Sequence, residues 1–536
     1  MRAALTALCL LLALPVLGVL SAWLDLDAAA VEMLRHLWGT VLPAYAMQSL
    51  WLALGVAAGV ALVGGATAAA VTLFEFPARR VLEWALLLPL AMPAYVLAYA
   101  YTDALQTSGS LQSTLRSALG AQGALWPDVR SLPGAIALFV LALYPYVYVL
   151  VRASLSERAA PLMEAARLLG AGLRRRLTEV ALPLARPALA AGVLLALMET
   201  LADYGVGAYF GLTTFTTGIY KAWLVMDDRA AAAQLASILL AVVAVLLWLE
   251  RSAQRRLRYS ASRPGAPPTG EARTIFLRGW AAAAAGALCA VPVLFGFVLP
   301  SVWLVRTVWQ EASHSEFGLP AERFVSWASS TFMLATFAAA AATGLALMLA
   351  AWVRAEPAHR VSPLRAAVRT VSLGYAVPGA VIAVGTLLPL GVVQARWPNS
   401  GAGVWLTSTV LGLLYAYLVR FSAVALQSID AGYSRIPASI DESARMLGAG
   451  VWRTWRELHR PLLRRSALAA GLLVFVDVMK ELPATLLLRP FGVDTLAVVA
   501  YNFARDERLA EAALPSLAIV AVGLIPVTLL SRAMRR

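Results

Sequence analysis

The feature that most constrains this chain is a polar segment that occurs twice among long apolar stretches. The first copy, at 164–172, reads EAARLLGAG, and the second copy, at 442–450, reads ESARMLGAG. Corresponding residues lie 278 positions apart in a chain of 536 residues, and Pro183 and Pro461 follow the two copies at the same distance. A repeat of this length predicts two homologous halves.

The composition places both halves in a membrane. Hydrophobic residues make up 60% of the chain and charged residues 14%, whereas a soluble chain carries roughly 25% charged residues. Cys9 and Cys289 lie in apolar stretches without a Cys-x-x-Cys pattern, which excludes a disulfide framework and a zinc site of that type. The apolar run that ends near residue 23 resembles a signal peptide, but its length favours a first transmembrane helix.

Apolar segments long enough to cross a bilayer occur six times in each half. Such a helix needs about 20 predominantly apolar residues. An even number per half gives both halves the same orientation, so the repeat is parallel and not inverted. We therefore predict an all-α polytopic membrane protein with about 12 transmembrane helices in two parallel six-helix repeats. The segments are 4–23, 46–74, 81–103, 132–152, 187–209, 231–250, 276–305, 328–353, 366–392, 403–424, 466–488 and 512–532.

The basic residues predict the orientation. With both termini in the cytoplasm, the cytoplasmic segments and the helix ends that border them hold 32 of the 44 Lys and Arg residues, as the positive-inside rule requires. The two repeated loops, about 153–186 and 425–465, are then cytoplasmic and rich in arginine. The net charge of +14 thus faces the inner leaflet and the cytosol and needs no nucleic acid partner.

A segment dense in proline and glycine, 251–275, joins the halves and has the composition of a solvated linker. It divides the chain into the following predicted regions: 1–45, a first span and outer loop; 46–250, a first membrane unit; 251–275, a cytoplasmic linker; 276–327, a seventh span and outer loop; and 328–532, a second membrane unit.

Each repeated loop is predicted to hold a short helix that begins near the glutamate and turns sharply at the glycines, followed by a second short helix that ends at Pro183 or Pro461. Such a helix would lie across the cytoplasmic mouth of each half. A loop that only connects two spans is the plainer interpretation, and its occurrence in both halves argues against it.

The pattern Glu-Ala-Ala-x-x-x-Gly, followed by Leu-Pro, resembles the loop of binding-protein-dependent ABC importer permeases. The resemblance implies two fused permease units of the type I ABC importer transmembrane fold in a bacterial inner membrane. It implies that each loop is a coupling helix for one of two cytoplasmic ABC ATPase subunits, and that a periplasmic substrate-binding protein delivers the substrate. By position, the ATPase-coupling residues are Glu164, Ala165, Ala166 and Gly170 in the first copy and Glu442, Ser443, Ala444 and Gly448 in the second.

Two departures from the pattern occur in the second copy. Ser443 stands where the family usually has alanine, and His459-Arg460 precedes Pro461 where Ala181-Leu182 precedes Pro183. Serine is small enough for docking, but the second difference predicts unequal docking of the two ATPases.

The chain itself lacks a phosphate-binding loop, because neither Lys221 nor Lys480 follows a glycine. We therefore expect no catalytic residue and no bound cofactor in this chain, with ATP and magnesium on the partner ATPase.

Acidic residues in the fifth span of each half are the candidates for a translocation pathway. Glu199 corresponds to Asp477, and Asp203 corresponds to Glu481, at the same offset of 278. A spacing of four predicts that each pair shares one helix face. Ionisable groups at this depth mark a pathway or a paired structural site. Both interpretations remain open: Lys480 is a pathway candidate together with these acids, and it is also spaced to pair with Asp477.

The stretches 480–486 (KELPATL) and 199–205 (ETLADYG) look like signatures of ferric iron importers within this superfamily. Related fused permeases for thiamine, polyamines or phosphonates share much of the pattern. The four histidines are dispersed and no metal-ligand spacing is present, so we expect no resident metal.

The sequence argues against two other classes of membrane protein. A secondary transporter of two six-helix halves typically carries its marker loop between spans 2 and 3, and that loop is only residues 75–80 here. A membrane-embedded enzyme would need a convergent catalytic set, and the sequence offers none.

Overall fold

The computed structural model describes residues 2–21, 23, 28–156, 160–260, 275–314, 319–356, 362–401 and 407–534. Most of the predicted linker therefore lies outside the described residues. Ten helices in the described part of the chain are long and apolar enough to cross a membrane, and an eleventh span results if one sharply bent helix pair is counted. The predicted all-α membrane fold is confirmed.

The chain forms two compact units, and each combines residues of both sequence halves. The N-half unit comprises Thr40–Thr217, Ala241–Leu319 and Ala500–Arg536, and the C-half unit comprises Met1–Gly39, Gly218–Leu240 and Pro320–Val499. The predicted permease units at 46–250 and 328–532 are sequence repeats with different bounds, and they stay a prediction.

A bundle of three helices forms the centre of the N-half unit: Leu42–Leu73, Leu132–Ser154 and Leu182–Ala202. The helices approach closely because glycines face the middle one. A Cβ on Gly64 would lie 2.6 Å from Val147 Cβ, and a Cβ on Gly192 would lie 2.7 Å from Val147 Cα. Small residues at such contacts are the usual means by which membrane helices associate.

The remaining elements of the N-half unit surround this bundle. Strands Phe74–Glu75 and Ile275–Phe276 pair in parallel, with Phe74 opposite Ile275. The helical elements are Arg79–Ala85, Leu88–Ala91 (3-10), Ala94–Leu105, Ser110–Leu119, Ala160–Leu168, Leu173–Arg176, Leu177–Ala181 (π), Gly205–Tyr209, Trp280–Val293, Leu294–Val298 (π), Leu299–His314 and Leu509–Met534.

The C-half unit repeats the same bundle with the helices Ala321–Arg354, Leu411–Tyr433 and Arg460–Met479. The N-terminal helix Arg2–Ser21 packs within this unit against Gly379–Arg396. A Cβ on Gly385 would lie 1.9 Å from the Pro15 carbonyl oxygen, so glycine is required there. The segment of the predicted first span is thus an apolar helix of membrane-crossing length that packs within the C-half unit.

The other elements of the C-half unit are Pro363–Val371, Gly374–Ala376 (3-10), Pro398–Ser400 (3-10), Ala438–Met446, Val451–Thr454, Trp455–His459 (π), Pro483–Leu488 and Lys221–Val225 (π). Four helices run across a sequence boundary of the two units: Ala28–Thr40, Phe215–Tyr220, Arg229–Ser260 and Leu496–Arg505.

Three of the twelve predicted spans differ from the prediction. The third span of each half is broken before a proline, at Met92-Pro93 and Val377-Pro378, and the first break bends the helix by 92°. A residue before proline is pushed out of the helical region, and Met92 and Val377 are both extended. The span predicted at 466–488 exists as the helix Arg460–Met479, but this helix is not apolar enough to be among the ten. Charged residues in its sequence are Arg460, Arg464, Arg465 and Asp477.

Candidate functional site

The first repeated loop holds the short helix Ala160–Leu168, and Gly170 lies two residues beyond its end. Gly170 has φ +84°, its amide donates to the Arg167 carbonyl at 3.0 Å, and the Ala171 amide donates to the Ala166 carbonyl at 3.0 Å. These two bonds form a Schellman motif, in which a residue with positive φ closes the helix. Glycine is required because other residues pay a steric cost in this conformation.

The second loop repeats this geometry bond for bond. Its helix is Ala438–Met446, and Gly448, two residues beyond the helix end, has φ +75°. The Gly448 amide donates to Arg445 at 2.9 Å, and the Ala449 amide donates to Ala444 at 2.9 Å. The predicted short helix and sharp turn are therefore present in both halves, between the fourth and fifth predicted spans.

The predicted residues occupy similar places in the two loops. Glu164 pairs with Arg167 at 3.4 Å, and Ala165 is exposed while Ala166 is half-buried. Glu442 and Ser443 are exposed, whereas Ala444 is buried against the rest of the C-half unit.

A pair of large apolar side chains precedes each turn glycine, and the sequence reasoning did not single it out. Leu168, Leu169, Met446 and Leu447 are each between 79% and 89% exposed. The signal was present as two adjacent large hydrophobic residues before glycine in a loop that is otherwise polar. Exposed apolar side chains thus stand at equivalent places in both loops, and such surfaces contact either a protein partner or a membrane.

Each loop continues directly into the fifth span, so the prediction that a second short helix ends at Pro183 or Pro461 is wrong. A π-helical turn, Leu177–Ala181 or Trp455–His459, leads into the span in each half. Proline cannot donate to the helix and its ring crowds the preceding turn, and the wider π turn accommodates it.

A buried polar network anchors the second loop. Asp441 accepts a hydrogen bond from Arg354 Nε at 2.7 Å, and its other oxygen lies 2.7 Å from His459 Nε2. The Tyr433 hydroxyl lies 3.3 Å from His459 Nδ1, and Arg354 also donates to the Ile436 carbonyl at 2.8 Å. Burial acts to raise the pKa of Asp441, but the hydrogen bonds to His459 and Arg354 outweigh it and hold that pKa below its usual value.

The first loop has apolar residues at the positions that correspond by the offset of 278. Leu155, Met163 and Ala181 stand where the second half has Tyr433, Asp441 and His459, and all three are buried. The two loops thus share one backbone and differ in the chemistry that holds them. The predicted inequality of docking remains a prediction, and this difference gives it a structural basis.

Glu481, a candidate pathway residue, is fully engaged within the C-half unit. Its Oε1 accepts from Arg420 at 3.1 Å and from the Ala484 amide at 2.9 Å. Its Oε2 accepts from the Thr485 amide at 2.9 Å and the Thr485 hydroxyl at 2.5 Å, and Tyr417 bonds the same hydroxyl at 2.7 Å. Glu481 therefore caps the short helix Pro483–Leu488 and neutralises a buried arginine.

The neighbouring acid of that half is also paired, because Asp477 lies 2.9 Å from Lys480 Nζ. The expected ion pair is thus present. The shared helix face is not, because the helix ends at Met479 and Glu481 lies beyond it. Asp203 likewise lies past the helix end at Ala202, with ψ 135°. Each of these two acids caps the short helix that follows it, so it cannot also belong to the helix that precedes it.

The two acids of the first half have different surroundings. Asp203 accepts from the Val206 amide at 2.8 Å, and its backbone carbonyl accepts from the Thr216 hydroxyl at 2.7 Å. Glu199 is half-buried. Among the described residues, neither Glu199 nor Asp203 forms an ion pair with a lysine, arginine or histidine.

The residues that the structure describes contain no group of three or more His, Cys, Asp or Glu side chains placed to hold a metal ion. The histidine in the second loop is already committed to the Asp441 network.

Comparison with known proteins places the chain among transport components. The family model described as "Binding-protein-dependent transport system inner membrane component" matches residues 61–259. The chain is 25% identical over 468 residues to the Fe(3+)-transport system permease protein FbpB 2 of Haemophilus influenzae, covering 86% of this chain and 84% of that protein.

Two other relatives match shorter stretches. A putative ABC transporter permease protein, ORF1 of Streptomyces antibioticus, is 32% identical over 213 residues, which is 38% of this chain and 87% of that protein. The putative 2-aminoethylphosphonate transport system permease protein PhnV of Salmonella typhimurium is 28% identical over 166 residues, 31% of this chain and 61% of its own length. The chain therefore spans less than two thirds of that relative.

Proposed function

The chain belongs to the family of binding-protein-dependent transport system inner membrane components, and on this premise we propose that it is the fused permease of an ATP-driven importer that carries ferric iron. The chain is a multi-pass inner-membrane transport subunit of an ABC transporter. The proposal adds the identity of the substrate, the inward direction of transport, the two ATPase subunits and the cytoplasmic location of both termini.

One observation carries the mechanism: the short helix of each loop closes in a Schellman turn, and an exposed pair of large apolar residues precedes each turn. Equivalent surfaces on two homologous loops suit two copies of one partner. The apolar side chains Leu168, Leu169, Met446 and Leu447 are exposed, so a docked partner would gain about 1.5–3 kcal/mol for each side chain that it buries completely.

The loops transmit motion because each continues without a break into the fifth span. ATP and magnesium bind the ATPase subunits and not this chain. Closure of the two ATPases displaces both loops, and the fifth spans Leu182–Ala202 and Arg460–Met479 follow, which alternates access to the substrate. A periplasmic binding protein presents the substrate on the opposite side of the inner membrane.

Ferric iron is the substrate that the relatives favour. The relative named for Fe(3+) transport aligns over 86% of this chain, whereas the phosphonate relative in Salmonella typhimurium aligns over 31%. Phosphonate is the second candidate on the strength of those matches, and thiamine and polyamines are others. Glu199 and Asp203 lack an ion-pair partner within the described residues, and a carboxylate without a counter-charge attracts a cation and repels a phosphonate.

Uptake by cells tests the substrate directly. Cells that lack the gene and cells that carry it on a plasmid are compared for uptake of radiolabelled ferric ion and of labelled 2-aminoethylphosphonate, with and without an uncoupler of the proton gradient. The proposal predicts gene-dependent ferric uptake that needs ATP. Gene-dependent uptake of 2-aminoethylphosphonate without ferric uptake would replace iron by a phosphonate as the substrate. Uptake that follows only the proton gradient would contradict an ATP-driven importer.

A further inference from the structure

A cavity of about 190 Å³ lies beside the second repeated loop, within the C-half unit. Small residues near the end of the helix Ala321–Arg354 and after the Schellman turn leave room for it: Ala351, Ala355, Ala449 and Gly450. Charged and polar side chains line the rest of the cavity. A group that enters it therefore meets both apolar contacts and charge.

One of the charged side chains in this cavity has no counter-charge. Arg354 and Asp441 neutralise each other at 2.7 Å, and His459 occupies the second oxygen of Asp441. Arg445 lines the same cavity, but it forms no ion pair with any acid in the part of the chain that the structure describes. A positive charge at Arg445 is thus left uncompensated.

The matching arginine of the first loop is paired. Arg167 corresponds to Arg445 at the offset of 278, and Arg167 lies 3.4 Å from Glu164 on its own helix. Glu442 corresponds to Glu164, but it forms no ion pair within the described ranges and is exposed. The first loop thus supplies a counter-charge for its arginine, and the second loop does not.

Docking on the second loop would remove water from Arg445. This residue directly precedes Met446 and Leu447, which are 89% and 85% exposed, so a partner that buries the apolar pair also covers the arginine. An unpaired charge is costly to bury. A partner that binds here must therefore bring an anionic group to Arg445.

We propose that the cavity beside the second loop receives an acidic side chain of the docked ATPase subunit, and that its carboxylate pairs with Arg445. The proposal rests on the proposed function and adds the chemistry of one contact to it. A guanidinium can hold a carboxylate through two parallel N–H···O bonds. Ala351 and Trp455 line the cavity and provide apolar contact for the stem of the acidic side chain. The same partner meets a different surface on the first loop, where Arg167 is already paired.

The affinity of the ATPase for two matched variants tests the proposal. The tagged chain is placed in nanodiscs, and the ATPase subunit that accompanies it from the native membrane is purified separately and titrated onto it at low and at high NaCl. Arg445→Gln is compared with Arg167→Gln, the same change at the corresponding position of the first loop. Both arginines are exposed, so both variants should keep the thermal transition of the wild type.

Arg445→Gln should raise the dissociation constant on the order of tenfold at low salt, the usual contribution of a hydrogen bond to a charged group. Its dissociation constant should also depend less on NaCl than that of the wild type, because salt screens the lost ion pair. Arg167→Gln should raise the constant by less than about fivefold, as expected for an exposed pair. Ala351→Leu, which places a larger side chain in the cavity and keeps Arg445, should also weaken binding.

Equal dissociation constants for the wild type and Arg445→Gln would overturn the proposal. An equal rise in Arg445→Gln and Arg167→Gln would also overturn it, because the effect would then belong to basic charge on either loop. Inorganic phosphate provides a further test on the chain without ATPase. A rise of its thermal transition with phosphate that is lost in Arg445→Gln would make the cavity a site for a free anion and reject the side chain as occupant.

Failure of the proposed function has a different signature. A wild-type chain that binds no ATPase at any concentration would reject the ATP-driven importer itself. Failure of this inference alone would leave binding of the ATPase to the wild type intact and would show the same affinity and the same salt dependence in Arg445→Gln.

Discussion

Replacing Arg420 with alanine should destabilise the C-half unit far more than any change at a surface ion pair. Arg420 donates to Glu481 Oε1 at 3.1 Å, and both side chains are buried. Without the guanidinium, the Glu481 carboxylate keeps its bonds to the Ala484 and Thr485 amides but loses its counter-charge. Removing one partner of a buried pair costs about 3–5 kcal/mol.

The loss can be read as a shift in the thermal transition of the purified protein. A change of this size corresponds to a fall on the order of 10 °C, given about 2–4 °C per kcal/mol for a unit of 150–250 residues. The double variant Arg420→Ala with Glu481→Gln should recover part of the loss, because no buried charge remains. The recovery is incomplete because the glutamine nitrogen cannot accept from the Ala484 or Thr485 amide as a carboxylate oxygen does. A transition within about 2 °C of wild type for Arg420→Ala, or no recovery in the double variant, would refute the reasoning.

Gly379→Ala gives an independent test of the same pair. The new Cβ would lie 2.8 Å from Arg420 Nη1 and 2.8 Å from Glu481 Oε1, so the ion pair would have to shift. Overpacking of this kind costs about 1–3 kcal/mol. Ala94→Gly at the corresponding position of the first half is the control and should cost less, because no ion pair lies there among the described residues. Equal effects of the two changes would contradict the ion-pair account.

Three further predictions concern the two repeated loops. Gly448→Leu and Gly170→Leu should uncouple ATP hydrolysis from transport while membrane insertion stays intact. The space around both glycines is open, but their positive φ costs a residue with a Cβ about 1–2 kcal/mol. Normal substrate-stimulated hydrolysis in these variants would count against docking. Leu169→Ser with Leu447→Ser should reduce retention of the ATPase on the permease and leave the thermal transition unchanged, because both side chains are exposed; unchanged retention would reject the apolar contact. Asp441→Asn should loosen the second loop at neutral pH, as measured by hydrogen exchange. The difference from wild type should shrink as the pH falls through the lowered pKa of Asp441, because the bonds to His459 and Arg354 stabilise only the ionised carboxylate. A difference in exchange that persists in acid would contradict this.

The backbone of the two repeated loops was predictable from sequence because it depends on local signals. A helix that ends at glycine after a fixed spacing closes through bonds among its own residues, and both Gly170 and Gly448 do so. The repeat strengthened this prediction, since two copies of the motif at the same offset are expected to share one geometry.

The breaks in the third spans were less visible, although their cause is also local. Hydropathy averages over a window of about 20 residues and does not register a single proline. Pro93 and Pro378 each follow an extended residue and begin a new helix. A rule that treated proline as a helix start would have found both breaks.

The partners of the intramembrane acids could not be predicted in full. The pairing of Asp477 with Lys480 is a spacing of three and was foreseen. The pairing of Glu481 with Arg420 joins residues 61 positions apart, and only the packing of two helices brings them together. The contrast between the halves therefore appears only when structure and repeat are considered together.

The central claim is that this chain is a permease driven by ATP hydrolysis in separate ATPase subunits, which dock on two equivalent loops. The most direct measurement is purification of the tagged chain from its native membrane, with identification and stoichiometry of the proteins that accompany it. The account predicts two copies of a cytoplasmic ABC ATPase for each chain, lost together when Leu169 and Leu447 are replaced by serine. Isolation of the wild-type chain without any ATPase under conditions in which it supports uptake would contradict the account.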